Sequence, residues 1–396
     1  MRTVTVVGAS LSGLYAAREL RAQGFDGRLV IIGDEPHRPY DRPPLSKDFL
    51  TGRSGEDRLA LTDAEETAEL DAEWFLGARA RARGLDPRSR TVLLDNGRTV
   101  STDGVVIATG ASARRLPADG LAGVHTLRTL DDARALRAEL TRGPLQVVVI
   151  GGGFIGAETA SSCAALGHTV TVVEAAPLPL VPQLGAEMAA VCAALHRRGG
   201  VELVTGTSVA GLRGTIGVTG VELADGRTLP ADVVIVGIGA TPNTAWLADS
   251  TLTLQDGVLC DDGCVTALPQ VVAVGDVARV GGSRAEHWTS ATEQPRVAVA
   301  NLLAGRSAET ARSLPYFWSD QYGARIQFAG RRKDGDTVRI TEGELADGAP
   351  VEDGFLALYE RDGRTTAVLS VDRPRAFMRA RRELVRRTNQ TRPAVV

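Results

Sequence analysis

The chain has 396 residues, enough for two or three domains that each bury a core. A formal net charge of −3 and a pI near 6.0 exclude a global attraction to nucleic acid or to an anionic membrane, so such a partner would need a local patch. Cys163, Cys192, Cys260 and Cys264 form no C-x-x-C pair, and the five histidines are scattered. A disulfide framework or a metal site is therefore not expected, and the thiols fit a reducing cytoplasm. The N-terminus reads as no secretory signal, and apolar runs such as VVIVGIGA (233–240) are far too short to span a bilayer, so a soluble cytoplasmic protein without a membrane partner is expected.

The first element is a short buried strand, VTVV (4–7), which runs into GASLSG (8–13), an amphipathic helix through Leu20 and the strand RLVIIGDE. In a dinucleotide turn the first glycine permits the bend, the second lets the backbone approach a pyrophosphate, and the third lets helix and strand pack closely. Gly8 and Gly13 fill the outer places and Ser10 the middle one. An acid at the end of the next strand can accept ribose hydroxyls, and Asp34 or Glu35 stands there. Further on, NGRTVSTDGVVIATGA (96–111) predicts a hairpin arm and another buried strand.

The pattern then recurs. QVVVI (146–150), GGGFIG (151–156), an alanine-rich helix and HTVTVVE ending at Glu174 repeat the first unit, with Gly151, Gly153 and Gly156 in all three glycine places. DGRTLPADVVIVGIGA (225–240) aligns without gaps on 96–111 at an offset of 129, with seven identities in sixteen positions. Two turns trailed by two matching hairpins predict two related α/β domains of the dinucleotide-binding kind. No arginine follows Glu174 until Arg197, so the second site should take NADH in preference to NADPH, whose ribose phosphate a carboxylate repels. Two nucleotide sites in one chain suggest a flavin that accepts hydride from a nicotinamide. VVAVGDVARV (271–280) reads as a further buried strand ending at Gly275-Asp276, where a parallel sheet presents its ligand side. After about residue 310 the texture changes to PYFWSDQYG (315–323), alternating stretches such as GFLALYE (354–360) and a basic tail, which predict a smaller α+β domain.

The run PHRPYDRPPLSKDFLTG (36–52), with GGGFIGAE, IATGA, VGDVA, EHW and PYFWSDQY, resembles the FAD-dependent ferredoxin reductases that serve cytochrome P450s and ring-hydroxylating dioxygenases. The likeness runs the whole chain. It implies a discontinuous FAD domain (1–112 and 241–311), an NAD domain (113–240) and a C-terminal interface domain (312–396). By position it implies FAD contacts from Gly8, Ser10, Ser12, Gly13, Asp34, Glu35, Arg42, Lys47, Ala80, Thr109, Gly110, Arg128, Asp276 and Trp288. NAD contacts would come from Gly151, Gly153, Phe154, Ile155, Gly156, Glu158, Glu174 and Gly239. It also sets Lys47 and Glu158 beside the flavin ring as the catalytic pair, in a chain whose only other lysine is Lys333. Trp288 would lie at the ring edge, with Trp318 and Tyr322 nearby.

The activity so implied is transfer of hydride from NADH to FAD and of single electrons from FAD to an acidic [2Fe–2S] ferredoxin. RPRAFMRARRELVRR (373–387), with seven arginines, and Arg331, Arg332 and Lys333 are candidate docking charges. An NADH oxidase or rubredoxin reductase on the same scaffold, or an FAD-bearing interaction protein similar to apoptosis-inducing factor, would carry most of the same motifs. The region after the first ribose acid, RPYDRPPLSK, lacks the redox cysteines of glutathione-reductase-like proteins, so electrons should leave the flavin directly.

Overall fold

The computed structural model describes residues 1–117, 120–311, 314–346 and 349–390. They group into two compact units. The first comprises Met1–Asp41, Glu56–Ser112 and Ala240–Pro315, and the second Arg42–Gly55, Ala113–Gly239 and the described residues from Tyr316 onward.

A five-stranded parallel sheet forms the first unit, in the spatial order Val271–Ala273, Gly104–Ile107, Thr3–Val7, Arg28–Ile32, Ala72–Phe75. Its strands are apolar almost throughout because both faces are covered, one by helices and the other by Leu85, Val92, Leu94 and Val100. Leu14, Ala17 and Leu20 of the Leu11–Ala22 helix pack with Val4, Val6, Val106 and Val272, together with Ala298 and Leu302 of the Trp288–Ala304 helix. An antiparallel excursion, Ala82–Asp86, Thr91–Leu94 and Thr99–Ser101, precedes Gly104–Ile107.

The second unit repeats this plan, in the order Glu202–Thr205, Thr169–Glu174, Gln146–Ile150, Val233–Val236, Val124–Thr126. Its excursion is Val209–Gly214, Val218–Leu223 and Thr228–Pro230. The repeat holds at single-bond resolution: Ala108 N donates to Val7 O at 2.7 Å, and Gly237 N to Ile150 O at 2.7 Å. The outer strands break the sequence symmetry. Val105 pairs with Val271, which follows it in the chain, whereas its counterpart Val234 pairs with Val124, which precedes it. The same place is thus filled from opposite directions along the chain, and no local motif signals this.

From Tyr316 the chain forms an antiparallel sheet, in the order Tyr316–Gln321, Ala324–Gly330, Arg364–Val371, Ala349–Arg361, Thr337–Ala346, with the Pro374–Gln390 helix packed on Arg364–Val371. In GFLALYE the expected alternation is absent, because Phe355, Leu356, Ala357 and Tyr359 are all buried. Phe355, Ala357 and Tyr359 share a core with Leu184, Met188 and Cys192 of the Val181–Arg198 helix.

Two expectations change. The sequence reading sets residues 42–55 in a continuous 1–112 stretch, but they cluster with the second unit, where Leu50 packs with Leu136, Leu140 and Val147. The strand in VVAVGDVARV ends at Ala273 rather than at Gly275-Asp276, because Gly275–Val277 turns into one 3₁₀ turn with Gly275 at φ +73°.

Candidate functional site

In the first unit the turn is built by crowding. A Cβ on Gly8 would lie 2.0 Å from the Ala108 carbonyl oxygen, and one on Gly13 would lie 1.8 Å from the Gly8 carbonyl oxygen. Gly8 also has φ +123°. These outer glycines are demanded by the fold itself. Ser10 precedes the helix in extended conformation, and its hydroxyl does not cap the helix. Beside the turn, the buried Ser12 hydroxyl sits where a Cβ on Gly275 would be, at 2.2 Å, and Gly275 N donates to Gln294 Oε1 at 2.8 Å. That contact fixes the loop holding Asp276 against the glycine turn.

Glu35 is half-buried and accepts the Tyr40 hydroxyl at 2.5 Å, while Asp34 is exposed. Thr109 and Gly110 are locked by Asn243: the Thr109 hydroxyl donates to Asn243 O at 2.8 Å, Asn243 Nδ2 to Thr109 O at 2.8 Å, and Asn243 N to Gly110 O at 2.9 Å. Sequence reasoning missed Asn243, whose only signal is its place three residues after GIGA (237–240), the end of the second copy of the echo. Ala80 is buried and ends a 3₁₀ turn, its N–H bonded to Gly77 O. Trp288 Nε1 donates to Asp41 Oδ1 at 3.3 Å, and its ring meets Tyr15 edge-on at 6.5 Å.

The second turn follows the same steric logic. A Cβ on Gly151 (φ +105°) would lie 2.3 Å from Gly237 O, and one on Gly156 would lie 2.0 Å from Gly151 O. Gly153 differs, since nothing stands within 4 Å of its missing Cβ. The protein interior does not require this glycine, which leaves the turn's outer side open, the side on which the backbone of a dinucleotide turn approaches a pyrophosphate. Glu174 bridges the turn, accepting Gly152 N through Oε2 and Ala176 N through Oε1, both at 2.8 Å. Ile155 is half exposed at the helix start. Phe154 instead packs on Phe317, with ring centroids 4.6 Å apart. Gly239, at φ +94°, accepts Arg114 N at 2.9 Å.

Three residues expected to serve FAD belong to this second unit: Arg42, Lys47 and Arg128. Arg42 Nη1 donates to Arg128 O at 2.6 Å. Lys47 Nζ donates to Glu158 Oε2 at 2.7 Å and to Pro43 O at 3.0 Å. Glu158 is 2% exposed, and two hydroxyls complete its shell: Ser46 on Oε2 at 2.6 Å and Ser319 on Oε1 at 2.7 Å. The family resemblance joined Lys47 to Glu158 and gave no sign of either serine.

Tyr322 is occupied internally. It takes φ +53° in the hairpin turn, its N–H donates to Ser161 Oγ at 2.7 Å, its hydroxyl lies 2.8 Å from His196 Nδ1, and its ring fills the place of a Gly199 side chain. Trp318 stacks on Tyr316 at 5.7 Å. The four cysteines are buried thiols, and burial pushes Cys163, Cys192 and Cys260 up to about 12, which keeps them from acting as thiolates. Among the described residues, no helix is long and apolar enough to cross a membrane.

Two dinucleotide-binding folds with a buried lysine–carboxylate pair beside the second define an oxidoreductase of two nucleotides. The pyridine nucleotide-disulphide oxidoreductase family model matches residues 2–295, and a reductase C-terminal model matches 316–396. The chain is 38% identical to the ferredoxin reductase component of chlorobenzene dioxygenase from Cupriavidus sp. (strain PS12), covering 96% of this chain and 91% of that one. It is 34% identical to putidaredoxin reductase from Pseudomonas putida, covering 94% and 89%. In structure it is similar to the reductase in the covalent putidaredoxin reductase–putidaredoxin complex, with a TM-score of 0.90, 31% identity and coverage of 98% and 93%. The chain therefore belongs to the pyridine nucleotide-disulphide oxidoreductase family, with the C-terminal domain of its ferredoxin reductase branch.

Proposed function

We propose that the protein is an FAD-dependent NADH:ferredoxin oxidoreductase that supplies a [2Fe–2S] ferredoxin serving a cytochrome P450 or Rieske-type oxygenase in the cytoplasm. The observation that carries this reading is the duplicated turn, with Ser10 in one copy and the sterically unrequired Gly153 in the other, in a chain similar along its whole length to ferredoxin reductases. On the likeness to ferredoxin reductases, the first turn is read as that of a retained FAD and the all-glycine copy as that of an exchanging NADH.

FAD is held by Gly8, Ser10, Ser12 and Gly13 at the pyrophosphate, Glu35 at the ribose, Asp276 at the ribityl chain, and Ala80, Thr109, Gly110 and Trp288 around them. The cradle fits, because the two crowded glycines bring strand and helix close and the Ser10 hydroxyl does not cap the helix, whose N-terminus suits an anion. When bound, FAD takes two electrons from NADH as a hydride and can release them one at a time. Arg42 and Arg128 supply positive charge for phosphate. Gly151, Gly153, Ile155 and Gly156 seat the pyrophosphate of NADH, and Glu174 selects it over NADPH by accepting ribose hydroxyls.

Lys47 contributes a positive charge fixed in place by Glu158, and no side chain has to move a proton for hydride to pass. The buried cysteines take no part. An anaerobic titration with NADH and NADPH, followed by cytochrome c reduction through a panel of ferredoxins, tests the reading. Bleaching by NADH and ferredoxin-dependent turnover are expected; fast turnover with oxygen and no ferredoxin would instead make the protein an oxidase, and a colourless protein would overturn the assignment.

A further inference from the structure

The carboxylate of Glu158 is held from three sides. Two donors, Ser46 and Lys47, come from the 42–55 segment and share Oε2. The third comes from the C-terminal sheet: Ser319, fully buried in the Tyr316–Gln321 strand, donates to Oε1 at 2.7 Å. Ser319 is itself aimed by Gln321 Nε2, 3.2 Å from its hydroxyl oxygen. An ionised carboxylate accepts at both oxygens, and burial makes an unfilled one costly. With Oε1 tied to the sheet, Oε2 is the oxygen that faces Lys47, and the ammonium has one place to sit.

We propose that Ser319 is a positioning residue for flavin reduction, acting through Glu158 on Lys47. This rests on the function proposed above. The serine of FWSDQY then carries the orientation of the C-terminal sheet to the cation that attends hydride transfer. Without it, Glu158 is free to turn both oxygens toward Ser46 and Lys47, and the ammonium position blurs.

The experiment compares wild type, Ser319→Ala, Ser319→Cys, Glu158→Gln and Ser319→Ala/Glu158→Gln as FAD-loaded proteins. Stopped-flow bleaching by NADH gives the limiting rate and the NADH Kd, and dye equilibration gives the flavin midpoint potential. Losing a hydrogen bond to a charged group predicts a limiting rate about tenfold lower in Ser319→Ala, with Kd within about twofold and a shifted potential. Cysteine keeps the branching of serine, with a somewhat larger atom, but is a weak donor, so Ser319→Cys should be slowed like alanine. In the Glu158→Gln background the alanine change should cost less than about twofold. A wild-type rate in Ser319→Ala or Ser319→Cys, or an equal loss with and without Glu158, would overturn the proposal. If wild type itself is not bleached by NADH, the functional reading fails; if wild type is bleached and the variants match it, only this inference fails.

Discussion

Lys47 and Glu158 lie 111 residues apart in the chain and meet at 2.7 Å, with the lysine side chain 17% and the glutamate 2% exposed. A pair this deeply buried stabilises little by itself, but breaking it leaves one charge without compensation. Lys47→Met should therefore lower stability by about 3–5 kcal/mol in urea unfolding. It should also slow NADH-dependent flavin reduction in stopped-flow. Normal reduction kinetics in a folded Lys47→Met protein would remove the lysine from the mechanism.

The two turns should fail separately. In Gly13→Ala the new methyl meets the Gly8 carbonyl at 1.8 Å, and in Gly156→Ala it meets Gly151 O at 2.0 Å, so each helix must move off its strand. Gly13→Ala is expected to purify colourless, and Gly156→Ala yellow but poorly reduced by NADH. Absorbance and circular dichroism together check this. Ser10→Leu should also lose flavin, because it blocks the face of the turn, whereas Ser10→Gly should keep it.

Coenzyme choice should rest on Glu174. Its two oxygens are engaged by Gly152 N and Ala176 N, which orient it at the strand end. Glu174→Ala should lower kcat/KM for NADH by about tenfold and leave that for NADPH equal or higher, since a lost ribose hydrogen bond and a removed repulsion act in opposite directions on the two coenzymes. Steady-state kinetics with both coenzymes reads the ratio.

Stability should fall with acid through His196. Burial pushes its imidazole down to about 4, against an ordinary value near 6.5. The unfolded chain therefore binds a proton that the folded one refuses, so the stabilisation is complete above about pH 6.5 and is lost as pH falls toward 4. The loss at pH 5 should be about 2 kcal/mol. Tm measured between pH 7.5 and 4.5 should decline in wild type and decline less in His196→Gln.

Ferredoxin docking should be electrostatic. The C-terminal helix carries exposed Arg382, Arg386 and Arg387, with Arg381 over the Tyr316 ring at 4.6 Å. Arg381→Glu with Arg382→Glu should slow ferredoxin reduction at low ionic strength by about tenfold and flatten its salt dependence. Flavin reduction by NADH provides the reference rate in the same samples. Salt-independent turnover in wild type would place docking elsewhere.

Both glycine turns were legible because their requirements are local: a positive φ at Gly8 or Gly151, and a Cβ-sized gap at Gly13 or Gly156, admit no other residue. The 129-residue echo was legible for a related reason, since the third excursion strand and the buried strand after it, Thr99–Ser101 with Gly104–Ile107 and Thr228–Pro230 with Val233–Val236, use the same short-range pattern twice. The packing of Tyr322 was not legible, because an aromatic in FWSDQY gives no hint that it will take a left-handed turn and fill the gap at Gly199.

The sequence alone determined the two nucleotide folds and the acid at Glu174, since these follow from backbone sterics, strand periodicity and charge, and the family resemblance supplied Glu158 as the partner of Lys47. Only the tertiary structure decided that residues 42–55 pack with the second unit, that Val271 and Val124 fill equivalent edges from opposite directions, and that Ser46 and Ser319 close the shell of Glu158. The reason is range. Ser319 stands 161 residues from Glu158, and a serine hydroxyl has no pattern of its own until a fold buries a carboxylate beside it.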